Sequence, residues 1–112
     1  MNNIDSIDKI KEALVFSCIN GSPQSFIPFL LSKNVKTDYP NKTLFYISLK
    51  STIECAKEST VGQLSLKIEQ PSWQKDTEVK YFKFYDNYHK YSRLSIKVKE
   101  YNKEIFFDIM PF

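Results

Sequence analysis

Alternation of apolar and polar residues fills the C-terminal half of this chain and is the feature that most constrains its fold. Residues 64–69, 94–99 and 105–110 each place an apolar side chain at every second position. Successive side chains of a β-strand point to opposite faces of a sheet, so this period of two predicts strands with one buried face. The aromatic segment VKYFKFY, residues 79–85, suits the same pleated surface and predicts a further strand.

Residues 43–56, TLFYISLKSTIECA, carry the same alternation. The inward positions of such a strand are Phe45, Ile47, Leu49, Ile53 and Cys55. A helix is the alternative, and its buried face would hold Phe45, Leu49, Thr52 or Ile53, and Ala56. The helix accounts for fewer of the apolar positions, and only Ser51 interrupts the inward set of the strand. The pattern therefore predicts a long strand here.

The first 34 residues follow a helical period instead. Residues of one stripe recur at steps of three and four, at Ile4, Ile7, Ile10, Ala13 or Leu14, and Ser17 or Cys18. This stripe predicts a helix of about four turns, with Asn3 or Asp5 as the candidate cap and Asn20-Gly21 as the stop.

A second helix is predicted directly after this stop. Ser22 is a suitable N-cap, and Pro23 then occupies the first helical position, where its missing N–H costs nothing. The helix should be short, over residues 23–33, because Pro28 falls in its interior.

These segments together predict an α+β fold. Two N-terminal helices would pack on one face of a curved, mainly antiparallel meander sheet of about five strands. A length of 112 residues suits a single domain over residues 1–112, with a helical part at about 4–34 and a sheet part at about 43–110.

Several chemical classes are disfavoured by the composition. Two cysteines and one histidine cannot supply a four-ligand Cys/His zinc site, so we expect no metal. Gly21 and Gly62 are the only glycines, which excludes the P-loop and Rossmann nucleotide motifs, and we expect no cofactor. Asp5 and Asp8 oppose a signal peptide and no apolar stretch is long enough to span a membrane, so we expect a cytoplasmic protein.

The segment KYFKFYDNYHKY, residues 80–91, is the densest cluster of chemically versatile side chains. If the strands pair in order, one face of the sheet presents a mixture of tyrosine and lysine. The candidate binding residues on that face are Tyr46, Lys50, Lys67, Tyr81, Lys83, Tyr85, Lys97 and Lys99.

Three functions are compatible with such a face. The first is a small non-enzymatic protein-binding module, of the kind found in bacterial or phage inhibitors and toxin-neutralising immunity proteins, that blocks a protein partner. The second is single-stranded nucleic-acid binding, in which tyrosines stack on bases and lysines meet phosphates. A net charge of +3 with Arg93 as the only arginine is weak for that role. The third is a small enzyme that uses His89 as a general base, with Asp86 orienting the ring. The sequence favours the first, with no catalytic residue expected.

Overall fold

The structure, a computed structural model, describes residues 6–110 and confirms the α+β class. Three helices lie in the N-terminal half and a five-stranded, mostly antiparallel sheet follows. The elements are α1 (Ile7–Asn20), a 3₁₀ turn (Pro23–Phe26), α2 (Ile27–Leu30), β1 (Val35–Lys36), α3 (Lys42–Ser59), β2 (Ser65–Glu69), β3 (Val79–Tyr85), β4 (Leu94–Tyr101) and β5 (Glu104–Ile109). Ile4 and the candidate caps Asn3 and Asp5 lie outside the described residues.

The sheet is a meander with one added strand. Its spatial order is β1-β5-β4-β3-β2, in which β2 to β5 pair antiparallel with their sequence neighbours. The added strand is β1, which pairs parallel with β5 and places Val35 opposite Ile105. β3 coincides with the predicted segment 79–85, and β2, β4 and β5 overlap the other three alternating segments. The prediction of about five strands therefore holds, although one strand differs from the expected set.

The predicted strand over residues 43–56 is wrong, because this segment forms the long helix α3. Its buried residues are Phe45, Leu49, Ile53 and Ala56, the set named by the helical alternative. Ile47 is 55% exposed and Cys55 is also exposed, although the strand would have buried both. The Asn41 side chain caps the helix by accepting a hydrogen bond from the Leu44 N–H at 2.9 Å. The helical layer therefore extends to Ser59, and the sheet part does not begin at residue 43.

The residues at which the first two helical segments begin and end agree more closely with the prediction. Gly21 adopts the left-handed conformation at φ 73°, and its backbone N–H bonds the Ser17 carbonyl, which ends α1. Ser22 and Pro23 start the next element as expected, but that element is a 3₁₀ turn followed by the single turn of α2. Pro28 sits at the start of α2, where the first turn needs no donor.

The core lies between the helices and one face of the sheet. Ile10 and Leu14 of α1 and Leu49 of α3 are fully buried in it. The Phe107 ring of β5 contacts Phe26 edge-on at 5.6 Å and stacks on Phe45 of α3 at 6.4 Å. The opposite face of the sheet, called the outer face below, carries Glu69, Tyr81, Lys97 and Asp108 in register across β2 to β5. The packing of these helices leaves the outer face for loops and solvent.

Candidate functional site

The structure brings together six of the eight predicted binding residues. They lie on the outer face, with Lys67 on β2, Tyr81, Lys83 and Tyr85 on β3, and Lys97 and Lys99 on β4. Tyr46 and Lys50 belong instead to α3, which packs against the opposite side of the sheet. The interpretation of residues 43–56 as a strand placed these two on the wrong surface.

Tyr81 points outward as predicted, but it is not available to a partner. Its side chain is only 6% exposed, because the β2–β3 loop folds over it. The Trp73 ring lies 5.8 Å from the Tyr81 ring, and the Gln74 amide donates a hydrogen bond to the Tyr81 hydroxyl at 3.1 Å. Trp73 is 68% exposed and takes the place of Tyr81 at the surface. The sequence contains no local signal that this loop covers the strand.

Ion pairs occupy much of the outer face. Lys83 pairs with Glu69 at 3.4 Å, Lys99 with Asp76 at 3.3 Å, and Lys36 with Glu104 at 3.5 Å. Each of these carboxylates sits beside a lysine and reduces the positive potential that a phosphate backbone would meet. The outer face as a whole is therefore mixed in charge rather than basic.

Tyr85 is tied into one of these pairs. Its hydroxyl donates to Glu69 Oε2 at 2.7 Å, while the ammonium group of Lys67 lies 5.7 Å from the centre of its ring. The hydrogen bond from Tyr85 lowers the pKa of Glu69, and this outweighs the opposing effect of burial. Burial and the bond to Glu69 raise the pKa of Tyr85 to about 12, so this hydroxyl remains a hydrogen-bond donor at neutral pH.

Residues 86–93, the loop between β3 and β4, are organised by Asp86. Its side chain has 0% exposure and accepts backbone N–H bonds from Val61 at 2.9 Å, Tyr88 at 3.0 Å and His89 at 2.7 Å. A fourth bond joins Asp86 Oδ2 to Nδ1 of the His89 ring at 2.7 Å. Burial raises the pKa of Asp86, but these hydrogen bonds to the charged form outweigh it and the net pKa lies below the ordinary value. The loop is therefore held by an ionised carboxylate that accepts four hydrogen bonds.

The His89–Asp86 pair has the geometry of an oriented imidazole. The carboxylate only accepts, so Nδ1 carries the hydrogen and Nε2 is left as the free ring nitrogen. Within residues 6–110, no serine, threonine or cysteine hydrogen bonds His89, so the nucleophile of an acyl-transfer triad is not found beside it. In this structure the hydrogen bond between Asp86 and His89 helps to fix the conformation of the loop.

A second connection fixes this loop to the segment between α3 and β2. The Asn87 N–H donates to the Val61 carbonyl at 3.0 Å, reciprocating the bond from the Val61 N–H to Asp86. Gly62 has φ +81°, and a Cβ on this residue would overlap the Asn87 amide. Only glycine adopts this conformation without strain and admits the close approach.

Gly62→Ala is expected to destabilise the protein by about 1–2 kcal/mol, because a Cβ is disfavoured at positive φ and would displace Asn87. Urea denaturation followed by circular dichroism measures the change. The double variant Gly62→Ala with Asn87→Ala should recover part of the loss by removing the overlap, while the backbone strain remains. An unchanged midpoint for Gly62→Ala would show that the two loops are not in close contact.

The fixed loop presents two exposed rings. Tyr88 is 75% exposed and Tyr91 is 74% exposed. Beside Tyr91, a groove of about 530 Å³ opens between the loop and the outer face. Its lining residues are Lys83, Tyr85, Lys90, Tyr91, Ser92, Arg93 and Ser95.

A separate apolar groove of about 600 Å³ lies between α1 and β2. Phe16 and Ile68 line it at 56% and 53% exposure, together with the charged residues Asp8, Lys11 and Glu12. The sequence predicts that Ile68 is buried, but α1 leaves this end of the edge strand β2 uncovered. The groove makes the β2 edge a second exposed surface, without a charge pattern that defines an occupant.

Other classes of site are not found among residues 6–110. No group of three or more histidine, cysteine or acidic residues there could hold a metal ion. In the same part of the chain, no helix has the length and apolar character needed to cross a membrane. Cys18 and Cys55 are both free; Cys18 is buried, which raises the pKa of its thiol, whereas Cys55 is exposed rather than buried as expected.

Comparisons with known proteins give no relative for this chain, since no family model, no curated protein and no solved structure matches it. The functional argument therefore depends on the geometry of the outer face and of residues 86–93. Between them, these two elements hold the exposed tyrosines and the groove of about 530 Å³.

Proposed function

We propose that this protein is a non-enzymatic binding module that recognises another protein through residues 86–93 and the adjoining outer face. The observation that carries the proposal is the exposure of Tyr88 and Tyr91 on a loop held by the buried Asp86 carboxylate. Tyrosine buries a large area at low entropic cost, and a loop already fixed loses little freedom on binding. Exposed rings on a preorganised loop are typical of interface anchors.

The charge of the outer face supports a protein partner over single-stranded nucleic acid. The carboxylates of Glu69, Asp76 and Glu104 each lie within ion-pair distance of a lysine on or beside this face. A nucleic-acid backbone would meet these acids along with the lysines, whereas a protein surface of mixed charge can match them.

The surroundings of His89 support a binding role over an enzymatic one, because among residues 6–110 no serine, threonine or cysteine hydrogen bonds its ring. Its Nδ1 and its backbone N–H are both committed to Asp86, and these bonds order the loop that presents Tyr88. A small chain that offers a rigid aromatic surface can act on a partner by covering part of it. We propose further that it is an inhibitor of bacterial or phage origin, of the toxin-neutralising immunity type.

Removal of both loop rings is expected to abolish capture of the partner. The wild-type protein, the double variant Tyr88→Ala/Tyr91→Ala and the control Tyr101→Ala are immobilised, and captured proteins from the source organism are identified by mass spectrometry. Tyr101 is 57% exposed and matches the loop tyrosines in chemistry, but it lies at the end of β4 away from residues 86–93 and so outside the proposed contact area. A partner captured by the wild type should then be purified and its affinity measured.

Each loop tyrosine should contribute on the order of 2 kcal/mol, roughly thirtyfold in affinity, if it is an interface anchor. Tyr101→Ala should leave the affinity within roughly twofold, as expected of a residue outside the interface. Equal losses for the single variants Tyr88→Ala, Tyr91→Ala and Tyr101→Ala, or an affinity that none of them changes, would refute this surface. For the inhibitor class, the purified partner should lose its own activity when the wild-type protein is added.

A further inference from the structure

We propose that the groove beside Tyr91 binds an acidic segment of the partner protein, a stretch rich in aspartate or glutamate. The inference rests on the proposed function and names the chemistry of the partner. Three cationic side chains line the groove, those of Lys83, Lys90 and Arg93, together with the hydroxyl groups of Tyr85, Tyr91, Ser92 and Ser95. No carboxylate is among the lining side chains. A cavity lined by cationic groups and hydroxyl groups, with no carboxylate, is complementary to a carboxylate, which only accepts hydrogen bonds.

The charge balance around the groove remains positive after its neighbours are included. Glu69 pairs with Lys83 and accepts from the Tyr85 hydroxyl, so it neutralises one cation at the rear of the groove. Lys67 lies directly opposite Lys83 in the β2–β3 register and restores that charge. Lys90 is exposed at the mouth, where its ammonium group lies 5.8 Å from the centre of the Tyr91 ring. Asp86 adds one negative charge at the base of the same loop, but Lys67, Lys90 and Arg93 still outnumber it, so an acidic segment would meet a net positive field at this point of the outer face.

Arg93 is the best-placed donor for a carboxylate. Its backbone N–H bonds the Phe84 carbonyl at 2.8 Å, and Nη2 donates to Ser59 Oγ at 2.9 Å, so the guanidinium is held in place. Its Nε is buried and has no hydrogen-bond acceptor among residues 6–110. A buried donor without an acceptor is costly. The held guanidinium favours an oxygen-rich anion, because its planar N–H groups match the geometry of a carboxylate.

Acidic residues elsewhere on the outer face limit how long an anion bound in the groove can be. Lys97 and Lys99 line a neighbouring groove of about 280 Å³ together with Asp38 and Asp108. Burial and the charge of Asp38 raise the pKa of Asp108, which shows that acidic groups are crowded there. A long polyanion that continued across the sheet would meet these carboxylates. A short acidic peptide segment can occupy the basic groove alone, so we assign the site to a protein rather than to a nucleic acid.

Titration of the ¹⁵N-labelled protein with a blocked hexaglutamate peptide tests the proposal. Near physiological salt, roughly 0.15 M, the peptide is expected to shift the backbone amide signals of residues 83–95, whereas a blocked hexaglutamine peptide is not. Lys90→Gln should weaken hexaglutamate binding roughly threefold, as for an exposed ion pair. Arg93→Gln should weaken it roughly tenfold or more, because a charge-assisted bond is lost.

Lys50→Gln is the matched control, since Lys50 is an exposed lysine on α3, on the other side of the sheet, and should leave the affinity unchanged. Lys90→Gln keeps the test valid if Arg93→Gln fails to fold, because the exposed Lys90 takes no part in the core. Shifts spread over lysines of the whole surface, or equal binding of hexaglutamine, would overturn the proposal. Tighter binding of a thymidine hexanucleotide in the same groove, with a steep salt dependence, would overturn it in favour of nucleic acid.

The two proposals fail in different ways. If binding of a captured partner requires Tyr88 and Tyr91 but is unchanged by Lys90→Gln and Arg93→Gln, the protein-binding function is supported. The proposal of an acidic segment in the groove is then refuted. A partner whose affinity depends on all four residues, and which hexaglutamate displaces, would support both.

Discussion

Leu49→Asp is expected to abolish folding, whereas Ile47→Asp, two residues earlier, should leave the fold intact. Leu49 is fully buried against the core, and an aspartate there would place an unpaired charge in an apolar environment. We expect a loss on the order of 5 kcal/mol, comparable with the whole stability of a small domain. Ile47 is 55% exposed on α3, and its replacement should cost roughly 1 kcal/mol or less. Circular dichroism and urea denaturation distinguish the two outcomes.

The pair of variants tests the secondary structure of residues 43–56 directly. In a strand, positions 47 and 49 share a face, so both substitutions would be equally damaging. In a helix, positions 45, 49 and 53 share a face and position 47 lies on the other side. Equal damage would therefore contradict α3. Leu49→Ala is a milder control that should fold with a loss of about 2–5 kcal/mol.

The failure of the strand interpretation has a physical cause. Positions 45, 49 and 53 are separated by four residues, and this spacing satisfies both the period of a strand and that of a helix. The strand was preferred because it would also bury Ile47 and Cys55, although single exposed apolar residues are common on helices. The signal that could have decided for the helix was Asn41, which follows Pro40 and caps the first turn.

The other strands could be predicted from the sequence wherever one face of the strand is buried along its whole length. β3, β4 and β5 alternate because each borders the core on one side, and Phe82, Ile96 and Phe107 are all buried as predicted. β1 was missed since two residues carry no period, and its pairing with β5 spans about seventy positions of the chain. The direction of the outward side chains on β3 was also predictable.

Whether a candidate side chain is exposed to solvent was harder to predict than the face of the sheet on which it lies. Alternation places Tyr81 on the outer face, but whether a loop folds over that position depends on distant residues, here Trp73 and Gln74. The role of Asp86 in the 86–93 loop was foreseen only as a possible partner of His89. Its bond to Val61 joins two loops that are distant in sequence and follows from the tertiary fold alone.

Asp86→Ala is expected to cause the largest loss of stability among substitutions in residues 86–93. It removes the acceptor of the backbone N–H groups of Val61, Tyr88 and His89 within a buried site. Donors left without partners in such a site are costly, and we expect the melting temperature to fall on the order of 10 °C. The same variant should weaken partner binding more than its loss of stability explains, because Tyr88 and Tyr91 lose their fixed positions. Thermal denaturation and the affinity for the captured partner measure the two effects.

His89→Ala is the matched control for Asp86→Ala. It removes the ring bond to Asp86 at 2.7 Å but leaves the three backbone donors in place. Folding and partner binding should therefore stay close to wild type. A loss as large as that of Asp86→Ala would mean that the imidazole, rather than the backbone bonds, holds the loop. Turnover of a substrate that disappears in His89→Ala alone, with folding intact, would contradict the non-enzymatic function.

The effect of Asp86 should depend on pH with a defined sign. The pKa of Asp86 in the folded protein lies below its ordinary value of 3.8, so the unfolded chain takes up this proton first as the pH falls. The stabilisation by Asp86 is therefore complete above about pH 4 and is lost as the pH drops through the lower pKa of the folded state. The difference in melting temperature between wild type and Asp86→Asn should thus be constant from neutral pH down to about pH 4 and shrink below it. Comparing the two proteins isolates Asp86 from Glu69 and Asp76, whose pKa values are also lowered. A difference that shrinks already above about pH 5 would contradict a lowered pKa of Asp86 in the folded protein.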